Sequence, residues 1–184
     1  MIDLVGLPHE IAPRLLGFRL RTEFEEGATE VVITEVEAYS GGDDPASHAF
    51  SGRTARNGPM FGPPGHLYVY RSYGMHWCSN IVVNPPGQPS AVLIRGGEIT
   101  EGIDIIKQRR GRSDNLVDGP GKLSQALGIT GDHDGAGLDS GPIRLIAGSP
   151  LNRPILTTPR IGISKAVDYP WRFVAAAEIA TSGN

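Results

Sequence analysis

Apolar and polar residues alternate most clearly over 18–39 and 67–95, and glycine and proline interrupt the pattern elsewhere. Residues 8–16 predict a short helix: Pro8 suits the first turn, Ile11, Ala12, Leu15 and Leu16 line one side, and Gly17 ends it. Phe18, Leu20 and Phe24 share a face of a strand. Glu25-Glu26-Gly27-Ala28 makes a turn, and 29–39 reads as the returning strand. If that strand is regular, Val32, Val36 and Ala38 share one face and Val31, Ile33, Glu35, Glu37 and Tyr39 the other. Residues 67–72 and 76–83 read as strands around a tight turn at Tyr73-Gly74. Asn84-Pro85-Pro86-Gly87 breaks the second, and 91–95 is a further apolar strand. Thr100 is placed to cap a helix running to about Arg110, with Ile103 and Ile106 inward. A second helix is expected from Pro120 through Leu123, Ala126 and Leu127 to Gly128. Short strands are expected at 143–147 and 161–164, with Trp171 and Phe173 packing nearby and 181–184 as a loose end. There is no repeat and no break in composition, so the expectation is one α+β domain over 1–184.

Composition sharpens this. Twenty-five glycines and fifteen prolines favour turns and irregular connections over a helix bundle. The single cysteine, Cys78, allows no internal disulfide. With no apolar run of membrane-spanning length and no visible secretory signal at Met1-Ile2-Asp3, a cytoplasmic, membrane-free protein is expected. The net charge of −3 alone argues against a nucleic-acid partner, but its distribution does not. Residues 45–97 hold no Asp or Glu while carrying Arg53, Arg56, Arg71 and Arg95, and a basic run follows at Lys107-Gln108-Arg109-Arg110-Gly111-Arg112. A polyanion responds to local potential rather than to the sum. A solvated helix end is the plain alternative for 107–112.

Several motifs fail. Gly119-Pro120-Gly121-Lys122-Leu123 lacks the first glycine and the hydroxyl of a phosphate loop, leaving only a backbone anchor. Asp132-His133-Asp134-Gly135 lacks calcium-loop spacing, and no Cys/His cluster suits zinc, so no metal and no cofactor are expected. What remains is a carboxylate beside aromatic residues. Glu37 on a strand facing a polar cleft can activate water, or it can simply face solvent. Tyr68 and Tyr70 share a strand face, as stacking platforms or as ordinary packing. Tyr73 at a hairpin tip is suited to insertion into a base stack. His48 follows a turn-rich loop, and Asn80 in an apolar strand needs a partner or a polar pocket.

Taken together, Glu37-Ala38-Tyr39, His48, Met60-Phe61 and Leu67-Tyr68-Val69-Tyr70 through Tyr73-Gly74-Met75 to Asn80 resemble the alkyladenine (3-methyladenine) DNA glycosylase family, in its bacterial form. Val92-Leu93-Ile94-Arg95, Gly119-Pro120 with Lys122-Leu123 and Gln125-Ala126-Leu127, and more weakly Pro159-Arg160-Ile161-Gly162-Ile163, extend the resemblance over about 8–175. His76-Trp77 and 130–158 depart from it. The resemblance implies one glycosylase domain with a curved antiparallel sheet, flanking short helices and a protruding β-hairpin. It implies that Glu37 activates water, that Arg95 helps hold it, and that Tyr39 and His48 stack on one face of an extruded base with Tyr70 on the other. Tyr73 would fill the gap in the duplex, and Asn80 would discriminate against the 2-amino group of guanine. Arg53, Arg56, Arg71, Lys107, Arg109, Arg110 and Lys122 would meet the DNA backbone.

The expected partner is therefore double-stranded DNA carrying damaged purines, bound by a monomer. The chemistry would be hydrolysis of the N-glycosidic bond in base-excision repair. A damaged base is the cheapest to flip, and an electron-poor purine stacks well between tyrosines and leaves readily. Glu35 would raise the pKa of Glu37 by like-charge repulsion. Only Lys107, Lys122 and Lys165 are available as amines, none within 31–95, which predicts no strand cleavage. A catalytically silent lesion-binding module and a small-molecule nucleoside hydrolase are the alternatives.

Overall fold

The structure, a computed structural model, describes residues 3–85 and 87–176; the expectation for 181–184 lies outside the described residues. A one-turn helix α1 (Pro8–Ile11) passes at once into a tighter 3-10 turn, Ala12–Leu15. Pro13 lacks the N–H an α-helix would need there, which explains the change. Ile11, Ala12 and Leu15 are buried as the pattern required.

Strands β1 (Arg19–Phe24) and β2 (Gly27–Tyr39) form a hairpin with Phe24 opposite Gly27. β3 (Leu67–Ser72) and β4 (His76–Val83) form a second hairpin, and β5 (Ser90–Glu101) joins β4 to β2. With β6 (Ile143–Ile146) beside β1, the antiparallel order is β3-β4-β5-β2-β1-β6. β7 (Ile155–Thr158) pairs with β8 (Arg172–Ala175), and β8 pairs with β2 over Glu35–Glu37. The long β2 thus changes partner along one edge, from β1 to β8, and the sheet curls around it.

The change coincides with irregular pairing. Ile33 faces Gly97 and Glu35 faces Gly96, leaving Thr34 unpaired in β2; Val36 then faces Ile94, leaving Arg95 unpaired in β5. Each bulge reverses which side of the strand faces inward. Val31 and Ile33 are therefore buried in the same core as Val36 and Ala38, while Val32 is only partly buried, which corrects the regular two-face assignment. Glycine is required at 97, where a Cβ would lie 2.8 Å from the Val32 carbonyl oxygen, and at 96 a Cβ would sit tightly, 3.3 Å from Glu35 Cβ.

The core lies on one face of the sheet under α2 (Ile103–Arg110) and α3 (Pro120–Ala126), which contribute Ile106, Leu123 and Ala126. Ser79 and Ser124 hydroxyls, 2.7 Å apart, satisfy each other at the buried β4–α3 contact. Three expectations change. β5 continues to Glu101, so Thr100 is a strand residue bonded to Glu30, and Gly102 in the left-handed region precedes α2. Ile103 is exposed and only Ile106 points inward. Residues 161–164 are not a strand: Gly162 has φ +75°, and the Ile161 N–H is used by a side chain described below. β7 and β8 take that place in the sheet. Among the described residues no helix is long and apolar enough to cross a membrane.

Candidate active site

Since Val36 and Ala38, Leu67 and Val69, Ile81 and Val83, and Val92 and Ile94 enter the core, their neighbours point the other way. Glu37, Tyr39, Tyr68, Tyr70, Cys78, Asn80 and Leu93 thus share the opposite face. Pairing aligns four of them: Tyr68 faces Asn80, Asn80 faces Leu93, and Leu93 faces Glu37, one row across four strands. Segments 45–48 and 161–165 close the sides, leaving a cleft of about 670 Å³.

At one end of the row the Glu37 side chain is fully buried. The Tyr39 hydroxyl donates to its Oε2 at 2.8 Å, Arg95 Nη1 donates to the same oxygen at 3.4 Å, and the Ile161 N–H donates to Oε1 at 2.8 Å. The carboxylate lies just behind the wall that Tyr39, Leu93, Arg95 and Ile161 present to the cleft. Arg95 reaches it because its bulged position frees the side chain from the pleat. The Arg95 carbonyl accepts the Gly119 N–H at 2.7 Å, so the bulge leaves no orphaned backbone acceptor.

Glu35 points the same way, but Arg95 Nε (2.9 Å) and Arg172 Nε (2.7 Å) both donate to its Oε1. Two guanidiniums answer its charge, and one of them stands between the two acids. The two acids expected to repel one another thus share one guanidinium, that of Arg95.

At the other end of the row, Tyr68 is buried with its hydroxyl 2.9 Å from His48 Nδ1. Tyr68 and Tyr70 lie 5.5 Å apart at 30°, and the His48 ring stands edge-on to Tyr70 at 4.5 Å and 83°. Asn80, 3% exposed, donates Nδ2 to the Tyr68 carbonyl at 3.0 Å. Burial raises the phenol of Tyr39 far above its ordinary value, with the Glu37 charge adding to it, and burial raises Tyr70 likewise. The Tyr68 phenol is pushed up to about 12 by desolvation. All three remain proton donors at neutral pH. Desolvation, then the nearby Arg56, lower the His48 pKa, and burial raises the Cys78 thiol.

The expected pocket residues Tyr39, His48, Tyr70 and Asn80 line this one cleft, together with Arg95, expected to act with Glu37, and with Tyr73 and Arg56. The tip residue Tyr73 is 86% exposed and takes φ +48°, with Gly74 at +67° and the Met75 N–H on the Ser72 carbonyl. Side chains other than glycine rarely occupy this region. The Arg56 guanidinium carbon lies 5.4 Å from the Tyr70 ring centroid. Arg53 lies over Phe61 and Arg71 over Trp77, both outside the cleft lining. Lys107 and Lys122 pair with Asp104 and Asp118, and Arg110 bonds Gln125. Arg109 turns inward: it bonds Thr29 and the Ala126 carbonyl at the end of α3 and lies over Phe24. That removes it from any outer basic surface.

Four participants carry no role in the sequence reading. Ile161 supplies a backbone donor to Glu37, which no side-chain pattern marks. Arg172 binds Glu35 from β8. Arg160 is buried on Asp44; an Asp at the start of a long acid-free span was the one signal for that pair. Lys165 lines the cleft, so the argument from lysines absent in 31–95 fails. Among the described residues no group of three or more His, Cys, Asp or Glu is placed to hold a metal ion.

A carboxylate behind a tyrosine-lined cleft on a curled antiparallel sheet, with a hairpin bearing an exposed tyrosine, defines a class that sequence comparison names. The family model for methylpurine-DNA glycosylase matches residues 5–179, and the chain belongs to that family, whose members hydrolyse N-glycosyl bonds in DNA. It is 53% identical over 169 residues to a Rhodopseudomonas palustris protein, covering 90% of this chain and 80% of that one. A relative from Nitrosospira multiformis is 49% identical over 175 residues (94% and 87%), and one from Nocardia farcinica is 46% identical over 192 residues (98% and 88%). All three bear the name "Putative 3-methyladenine DNA glycosylase".

Proposed function

We propose that the chain acts, as one domain, on alkylated or deaminated purines of the 3-methyladenine, 7-methylguanine, hypoxanthine and ethenoadenine class. It flips them from duplex DNA and hydrolyses the N-glycosidic bond without cutting the strand. The observation that carries this reading is the buried Glu37 carboxylate, fixed by three donors at the end of an aromatic row. Among the described residues Oε1 accepts a hydrogen bond from the Ile161 N–H alone, so it keeps a lone pair for the proton of an attacking water. Arg95 anchors the carboxylate and stands beside that water. A cationic purine departs with its bond electrons and needs no second acid, unlike the sugar leaving groups that require a protonated carboxyl.

The base stacks between Tyr39 and Tyr70, and Asn80 presents its amide to the purine edge. His48 stands within 4.5 Å of Tyr70, so base entry turns its ring aside and completes the stack on the side of Tyr39. Tyr73 occupies the vacated duplex position, and Arg53, Arg56, Arg71 and Lys122 meet the phosphates. Hydrolysis prevails over amine attack because the oriented base is a carboxylate. Lys165 sits on the cleft rim, its side chain exposed.

One experiment tests the whole reading. Duplexes carrying 7-methylguanine, and in parallel hypoxanthine or ethenoadenine, whose neutral bases must gain a proton to leave, are incubated with the protein and divided between alkali, no alkali, and borohydride. Cleavage only after alkali, with no trapped adduct, is expected. Cleavage without alkali together with a trapped adduct that disappears in Lys165→Ala would overturn the monofunctional part. Lesion binding with no excision from any of these duplexes would make the chain a silent binding module, and excision of 7-methylguanine alone would confine it to cationic purines.

A further inference from the structure

The Asp44–Arg160 pair is wholly buried, with both side chains at 0% exposure. Arg160 Nη1 donates to Asp44 Oδ2 at 2.6 Å and to the Ala38 carbonyl at 2.9 Å, and Nη2 donates to Asp44 Oδ1 at 2.8 Å. The guanidinium carbon lies 4.6 Å from the Tyr39 ring centroid and 5.2 Å from that of Trp171, and Trp171 stacks in turn on His9 at 4.9 Å and 9°. Asp44 also accepts the backbone N–H groups of Ser40 and Ala46, at the base of the loop that carries His48.

Stability alone is a poor reason for this arrangement. Burying an ion pair costs desolvation that well-packed apolar side chains would avoid, and Arg160 Nε is left with no hydrogen-bond partner. What the pair does is geometric. Arg160 touches the ring whose hydroxyl holds Glu37 Oε2, and it precedes by one residue the backbone N–H that holds Oε1. Both oxygens of the carboxylate are thus set from one guanidinium, and Asp44 fixes the plane of that guanidinium through two parallel bonds.

We propose that Asp44 and Arg160 are positioning residues for the glycosylase reaction: they orient Glu37 through Tyr39 on one side and Ile161 on the other, without touching the substrate. This rests on Glu37 being the general base. Lysine at 160 would keep the charge but not the fork or the flat contact with Tyr39. Asparagine at 44 would keep one acceptor and lose the charge.

The test compares wild type, Asp44→Asn and Arg160→Lys by single-turnover excision at saturating protein and by affinity for a duplex with a tetrahydrofuran abasic analogue. Misplacing a reacting group by about 1 Å costs on the order of a hundredfold, so excision is expected to fall about tenfold to a hundredfold with affinity unchanged. In a Tyr39→Phe background, where one of the two routes is already cut, the same substitutions should cost less. Unchanged single-turnover rates would overturn the proposal. So would rates and affinity falling together with the melting temperature, which marks a purely structural pair. Asp44→Glu, which retains the charge and both oxygens, replaces Asp44→Asn if the latter does not fold, and is judged by the same two measurements. Failure of the underlying reading looks different: the wild type itself would bind lesion duplex and release no base.

Discussion

On one face of the sheet Val36, Ala38, Val92 and Ile94 join the apolar core; one residue along in each strand, Tyr39, Leu93 and Arg95 form the wall of the cleft and Glu37 lies just behind it. The strands and the pairing are shared, and only the parity differs. The core face is held by area removed from water, which tolerates any apolar side chain of suitable volume. The cleft face buries an acid, a guanidinium and three phenols, and each such group must find a partner with correct geometry. The first face therefore degrades gradually under substitution, whereas the second loses function before it loses stability.

That contrast can be broken in four ways. The largest effect is expected at Glu37→Gln, which should lower excision about 10²–10⁴-fold while lesion-duplex binding, read by gel shift, persists. Ordinary turnover in that variant would put the base elsewhere. On the core face, Ile94→Ala should cost about 2–5 kcal/mol, read as a lower denaturant midpoint, with the folded fraction excising at the wild-type rate. A rate loss there would mean that the two faces are not separable. Tyr73→Ala, outside both faces, should weaken lesion-duplex binding by about 1–3 kcal/mol, the worth of one stacked base, and leave excision from single strands untouched.

The smallest effect concerns His48. Its folded pKa lies below the ordinary 6.5, so between those values the unfolded chain binds more protons than the folded one. Stability is then fully present above about pH 6.5 and declines as pH falls toward the folded value. Melting temperatures of wild type and His48→Gln should run parallel above that pH and diverge below it. Divergence on the alkaline side would contradict the assignment.

The same contrast explains what was legible in the sequence. β3 and β4 follow from alternation residue for residue, and Tyr68, Tyr70 and Asn80 take their faces from it. α3 begins at its proline. β2 is legible to its end at Tyr39 but begins at Gly27, two residues before the expected start, and its faces are not legible, because Thr34 and Arg95 carry no signature of a bulge; the two glycines at 96 and 97 are the available hint. β7 shows no buried face along Ile155–Thr158 from which alternation could be read, and 161–164 reads as a strand on its isoleucines although Gly162 and the Glu37 contact forbid it. Side-chain motifs reached Glu37 and Tyr39. The contacts of Ile161 with Glu37 and of Arg160 with Asp44 belong to tertiary structure; the sequence marks 159–163 by resemblance without saying what those residues touch.

The paired bulges have one more consequence. Thr34 works as a punctuation mark in β2: before it the odd-numbered residues face inward, after it the even-numbered ones do. Strict alternation from Ile33 would send Glu37 and Tyr39 into the hydrophobic interior and Val36 and Ala38 out to the cleft; the extra residue turns the acid and its tyrosine to the cleft side. Deleting Thr34 would join Ile33 directly to Glu35 and leave both faces where they are. The strand thus carries one residue more than its two faces need, and Thr34 absorbs it.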